Sequence, residues 1–67
     1  MITLTVNGKP RELKQPTTLL QFLKDLGIDS KFVAVAYNGT VLQKDEFPNV
    51  TLGQGDVLEV VRPVGGG

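Results

Sequence analysis

Residues 57–62 read Val57-Leu58-Glu59-Val60-Val61-Arg62 and run into Pro63. Gly53-Gln54-Gly55-Asp56 supplies a tight turn into this stretch. Pro63 has no N–H to donate, so sheet pairing ends near Arg62. A short run so rich in valine is a strand, and its alternation sends Leu58 and Val60 inward while Glu59 and Val61 point outward. Apolar strands belong in the middle of a sheet, whereas strands carrying proline or clustered charge belong at its edges. The fold therefore turns on which strands flank residues 57–62.

The other candidate for a central place is the first strand. Met1-Ile2-Thr3-Leu4-Thr5-Val6-Asn7 alternates strictly, with Ile2, Leu4 and Val6 on one face and Thr3 and Thr5 on the other. Asn7-Gly8 is a two-residue hairpin turn, and Arg11 to Gln15 is the expected returning strand, with Pro10 suited to a sheet edge. The period then changes. Leu19, Leu20, Phe22, Leu23 and Leu26 form one apolar helical stripe, Thr18 and Gln21 match a capping box, and Gly27 is a left-handed C-cap. A helix is expected from about Leu19 to Leu26. Phe32 to Tyr37 is a continuous apolar run of strand length, Asn38-Gly39 repeats the hairpin signal, and Thr40-Val41-Leu42 returns. That strand breaks in Gln43-Lys44-Asp45-Glu46, and Phe47 is a core anchor in the loop that follows.

The order is hairpin, helix, hairpin, final strand. Pairing the first strand with the last, side by side and parallel, gives an α+β domain: a mixed sheet of four to five strands with one helix packed across it. That layout is a β-grasp, the ubiquitin-like fold. The expected division is a β-grasp domain over residues 1–62 and a flexible glycine-rich tail over 63–67.

Composition narrows the function. Sixty-seven residues, 40% of them hydrophobic, make one small domain that buries only about 60% of its unfolded surface and leaves little core for a deep pocket. Seven Lys and Arg balance seven Asp and Glu, so nucleic acid has no electrostatic reason to bind. The chain contains neither cysteine nor histidine, which removes thiolate chemistry, Cys-based metal sites and the usual proton-transfer side chain. No apolar run approaches the roughly 18 residues that span a bilayer, so no membrane is expected and the cytoplasm is the default location. Glu12, Asp25, Asp29, Asp45, Glu46, Asp56 and Glu59 sit among polar or turn residues, as solvated surface charges do. No residue is assigned as catalytic, no metal is expected, and no cofactor is bound by this chain. Gly53-Gln54-Gly55 lacks the third glycine of a dinucleotide fingerprint and leads into a strand instead of a helix. It reads as a turn.

The tail Pro63-Val64-Gly65-Gly66-Gly67 is different. Five residues reach about 17 Å when fully extended, and glycine is the narrowest thread a polypeptide offers. Such an arm suits the active-site channel of another protein, and its only reactive group is the α-carboxylate of Gly67. That group is ionised at neutral pH, its ordinary pKa being about 3.5, and so can attack ATP on an enzyme that positions the two. The competing reading is an idle tail on a plain binding module.

The chain resembles the ubiquitin-like sulfur carriers of prokaryotes, most closely the ThiS family of thiamine-biosynthesis carriers. The resemblance rests on "MITLTVNGK", "TTLLQFLKDLGI", "VAVAYNGTVL", "GQGDVLEVVRPV" and the terminal "GGG", in that order along essentially the whole chain. It implies a carrier that is not itself an enzyme. An E1-like adenylyltransferase would use ATP to adenylate Gly67. Sulfur from a cysteine desulfurase or another donor would convert it to a thiocarboxylate, and thiazole synthase would take that sulfur. Gly66 and Gly67 correspond to the family's essential pair, with Gly65 and Gly66 threading into the partner's active site. By the same analogy Val61, Arg62, Pro63 and Val64 dock the activating enzyme. Two other readings share the fold: the small subunit of molybdopterin synthase, and a ubiquitin-like protein modifier.

Overall fold

The computed structural model describes residues 1–62; Pro63, Val64, Gly65, Gly66 and Gly67 lie outside the described residues. The described chain runs β1 (Ile2–Val6), β2 (Lys9–Leu13), β3 (Thr17–Thr18), α1 (Leu19–Asp25), a 3₁₀ turn (Ser30–Phe32), β4 (Ala34–Tyr37), β5 (Thr40–Leu42), a second 3₁₀ segment (Lys44–Asn49), β6 (Thr51–Leu52) and β7 (Val57–Val61).

Among the described residues, five strands form the main sheet in the order β2-β1-β7-β4-β5. The final strand lies at its centre, parallel to β1 and antiparallel to β4, as the apolar strand pattern predicts. This mixed sheet with α1 across one face is the β-grasp. Both Asn-Gly pairs adopt positive φ at both positions, Asn7 and Gly8 at 51° and 81° and Asn38 and Gly39 at 50° and 86°. That geometry matches the twist of the strands it joins.

Helix α1 begins where Thr18 turns out of an extended conformation and its hydroxyl accepts from the Gln21 N–H at 3.1 Å. The reciprocal half of the expected capping box does not form. Gln21 Nε2 instead donates to Asp25 Oδ1 at 2.8 Å, one turn further along the helix. Leu26 is the C-cap, so the helix stops one residue short of the expected end. Beyond it Gly27, at φ +77°, lets its own N–H reach Lys24 O and the Ile28 N–H reach Leu23 O, both at 2.9 Å. Leu19, Phe22 and Leu23 are buried against the sheet residues Leu4, Val35 and Leu58.

Two further expectations are corrected, and two features go beyond what the sequence shows. The returning strand β2 occupies Lys9–Leu13, not Arg11 to Gln15, because a two-residue turn brings Lys9 directly opposite Val6. Phe32 belongs to a 3₁₀ turn whose cap is the Asp29 carboxylate, accepting from the Lys31 N–H at 2.9 Å, and it is 66% exposed. The strand starts only at Ala34. The polar run after Leu42 ends the strand as expected and is itself ordered: the Gln43 N–H donates to Glu46 Oε2 at 2.7 Å and the Glu46 N–H to Gln43 O at 2.9 Å, which starts the 3₁₀ segment that carries Phe47 into the core. Finally, Thr17–Thr18 pairs with Thr51–Leu52 as a small separate sheet, and Val50 O accepts from the Leu19 N–H at 2.8 Å, pinning the start of α1.

Candidate functional site

The end of β7 delivers the chain to its tail, so the candidate site is built around that strand. Alternation places Leu58 in the core and Val60 partly buried above it, while Val57 and Val61 are 44% and 59% exposed on the opposite face. No helix covers that face among the described residues. Val61 lies opposite Ala34 on β4, and Glu59 opposite Ala36, whose other neighbour is the 74% exposed Val41 on β5. Valines at 57, 61 and 41, with Ala34, give an open apolar face around one carboxylate.

Of the expected docking residues, Val61 sits on that open face. Arg62 is on the other side of the pleat, where it joins Lys9 and Arg11 around a groove floored by Val6, Ile28 and Val60. The two described members therefore face different directions. The rest of the expected set, Pro63 and Val64, lies outside the described residues, as do the tail residues Gly65, Gly66 and Gly67.

The start of β7 is held by a polar cluster whose sequence signal was read only as a turn. Asp56 accepts from the Gly53 N–H and the Tyr37 hydroxyl, each at 2.8 Å, and from Asn38 Nδ2 at 3.2 Å. Partial burial works to raise the Asp56 pKa, but these donors outweigh it and hold it below its ordinary value of 3.8. Tyr37 moves the other way: its hydrogen bond to Asp56, then burial and the carboxylate's charge, push its pKa above 10.0.

Because the folded-state pKa of Asp56 is depressed, its stabilisation is complete above the unfolded value and is lost as pH falls through the lower folded one. Asp56→Asn is expected to cost about 1.5–3 kcal/mol at neutral pH, the range for hydrogen bonds to a charged acceptor. The gap to the unsubstituted chain should close below pH about 4, where the carboxyl begins to protonate. Urea denaturation of both chains across that range is the check; a gap that is constant with pH would mean the cluster is not linked to folding.

Among the described residues no group of three His, Cys, Asp or Glu side chains could hold a metal ion. Nor, among them, is any helix long and apolar enough to cross a membrane.

Comparison with known proteins places these features in a wider set. A model described as the ThiS family matches residues 4–67. A sulfur carrier protein ThiS from Thermus thermophilus is 40% identical over 62 residues, covering 92% of this chain and 95% of that protein. A thiazole synthase from Paramagnetospirillum magneticum is 38% identical over 64 residues, which is 96% of this chain but 20% of that protein. The chain therefore spans about one fifth of that longer relative's length. The crystal structure of a thiamine biosynthesis protein (ThiS) from Geobacter metallireducens superposes with a TM-score of 0.85 at 33% identity, covering 98% of this chain and all of that one.

Proposed function

The chain belongs to the ThiS family, and from that membership we propose that it is a sulfur carrier in thiamine biosynthesis whose working group is the Gly67 carboxylate. In this reading an E1-like adenylyltransferase binds the carrier with ATP. A carboxylate oxygen of Gly67 attacks the α-phosphorus and pyrophosphate leaves, giving an acyl-adenylate. A sulfur nucleophile then attacks the carbonyl carbon: either hydrosulfide from a donor, or the outer sulfur of a persulfide that a desulfurase forms from cysteine, in which case a thiol reductant cleaves the S–S bond of the resulting acyl disulfide. AMP departs and a thiocarboxylate remains. Thiazole synthase consumes that sulfur.

The observation that carries this reading is the family match, which runs through the glycine end to residue 67. The relative from P. magneticum adds support for the last step, since a thiazole synthase there includes a stretch similar to nearly all of this chain. The composition agrees with a co-substrate whose partners perform the chemistry: with neither cysteine nor histidine, the chain contributes a folded handle, a docking face and one carboxylate. The α-carboxyl needs no base, being ionised well above its ordinary pKa of about 3.5.

The test is the intact mass of the chain after incubation with ATP, an E1-like adenylyltransferase and a sulfur donor. Exchange of one terminal oxygen for sulfur is the expected result, and an unchanged mass would overturn the reading.

The docking face makes a separate prediction. Val61 stands exposed at the centre of the sheet, so Val61→Asp adds a charge where an apolar contact is required without disturbing the core. We expect the adenylyltransferase KM for the carrier to rise about ten-fold, equivalent to about 1.4 kcal/mol, with little change in thermal stability. Steady-state adenylation kinetics decide this; an unaltered KM removes Val61 from the docking surface.

A further inference from the structure

We propose that Asn7 is a positioning residue that sets the direction in which the chain leaves β7, and so presents the terminal carboxylate to the activating enzyme. The proposal rests on the carrier reading above and concerns how that reaction is made efficient.

The parallel ladder between β1 and β7 has main-chain rungs from the Thr5 N–H to Asp56 O and from the Asn7 N–H to Leu58 O, both 2.9 Å. Residues of a strand alternate in the side to which their peptide groups point, so Leu58 and Val60 both address β1. At Asn7, however, the first strand turns away into the Asn7-Gly8 hairpin. No main chain of β1 remains opposite Val60. The Asn7 side chain fills that place: its Oδ1 accepts from the Val60 N–H at 2.8 Å and its Nδ2 donates to Val60 O at 3.2 Å. A primary amide carries the same donor and acceptor as a peptide group. Asn7 thus adds one more rung, made by a side chain, two residues before Arg62.

Beyond that rung β7 is held on the other side only, through Ala34 opposite Val61. Losing the amide would leave both polar groups of Val60 to water and free the last residues to pivot about β4. The adenylyltransferase docks on the open face and must receive a carboxylate some residues further on. A fixed departure angle raises the fraction of docked carriers whose carboxylate lies in line with the α-phosphorus. The effect belongs to the reaction step more than to docking, because the side chains of Val57 and Val61 are untouched.

The second hairpin offers an internal control. Asn38 also has positive φ, and its Oδ1 accepts from the Val57 N–H at 2.8 Å. It clamps the start of β7 as Asn7 clamps the end. Glycine tolerates both turns, so Asn7→Gly and Asn38→Gly each delete one amide clamp while keeping the hairpin.

The experiment compares the two variants in three measurements: thermal unfolding, hydrogen exchange at the Val60 amide, and steady-state adenylation of the full chain by an E1-like adenylyltransferase. Both variants should lose similar stability. Asn7→Gly alone should speed Val60 exchange and lower the adenylation kcat, each by about ten-fold, the expected size for one lost positioning contact, with KM within about two-fold. Equal losses of kcat in the two variants, an effect of Asn7→Gly on KM alone, or unchanged Val60 exchange would overturn the positioning role. If the unsubstituted chain is never adenylated, the carrier reading fails and the role falls with it. A chain that is adenylated, with both variants alike, leaves the carrier reading standing and defeats only this proposal.

Discussion

A chain shortened by Gly66 and Gly67 is expected to fold normally and to accept no sulfur. Among the described residues the nine that form the buried core run from Leu4 to Leu58, so the deletion removes nothing that packs in the described fold. Its melting temperature should match that of the intact chain. The carboxylate, by contrast, is drawn back by two residues, about 7 Å along an extended chain. Misplacing a reacting atom by about 1 Å can already cost on the order of 100-fold in rate, so adenylation should drop by at least that factor. Pyrophosphate release measures the first step, and intact mass measures the thiocarboxylate. A folded, shortened chain that gained sulfur as readily as the intact one would show that the reactive group lies elsewhere.

The second large effect is on stability. Phe47→Ala is expected to remove about a third or more of the folding stability of the chain. Phe47 is 1% exposed, carried inward by the 3₁₀ segment that packs beside α1. Truncating a buried phenylalanine costs about 3–5 kcal/mol through lost transfer energy and the cavity left behind. A 67-residue domain has only about 3–10 kcal/mol in total, at roughly 0.05–0.15 kcal/mol per residue. The substitution therefore consumes a third or more of that stability, and in a weakly stable chain nearly all of it. Urea denaturation with Val41→Ala as an exposed control, Val41 being 74% accessible, isolates the effect of burial. Equal shifts in midpoint for the two variants would place Phe47 outside the core. Phe47→Leu, which keeps most of the apolar volume, should cost only about 1 kcal/mol.

These two effects separate the parts of the molecule. Damage at Phe47 removes the handle along with everything it carries, whereas loss of the last two glycines is expected to leave the handle intact and remove its chemistry. Changes at Val61 and Asn7 are expected to fall between them, the first weakening docking and the second slowing the reaction step that follows it.

Much of the fold can be read without coordinates because its determinants are local. The Asn-Gly turns, the apolar stripe of α1 and its glycine stop, and the alternation of β1 and β7 are each set by backbone angles or by side-chain spacing within a few residues. The central, parallel placement of β7 also followed, because the strands with proline or dense charge are poor candidates for the middle of a sheet. The narrow arm and its terminal carboxylate could be read from the residues of the tail, whereas the sulfur chemistry proposed for it came only from the family resemblance, for glycine has no side chain to reveal a function.

Other features depended on which segments meet in space. Thr17–Thr18 gives no sign that it will pair with Thr51–Leu52, and Phe32 continues the apolar run of β4 although a 3₁₀ turn leaves it in solvent. Asn7 announces a turn, yet its amide also binds Val60, 53 residues away, and Asp56 gathers donors from Gly53, Tyr37 and Asn38 behind what reads as a plain turn. Backbone preference and periodicity are properties of neighbouring residues, so one chain displays them openly. A hydrogen-bond partner far along the chain is selected only when packing brings two segments together, and no local pattern encodes that meeting.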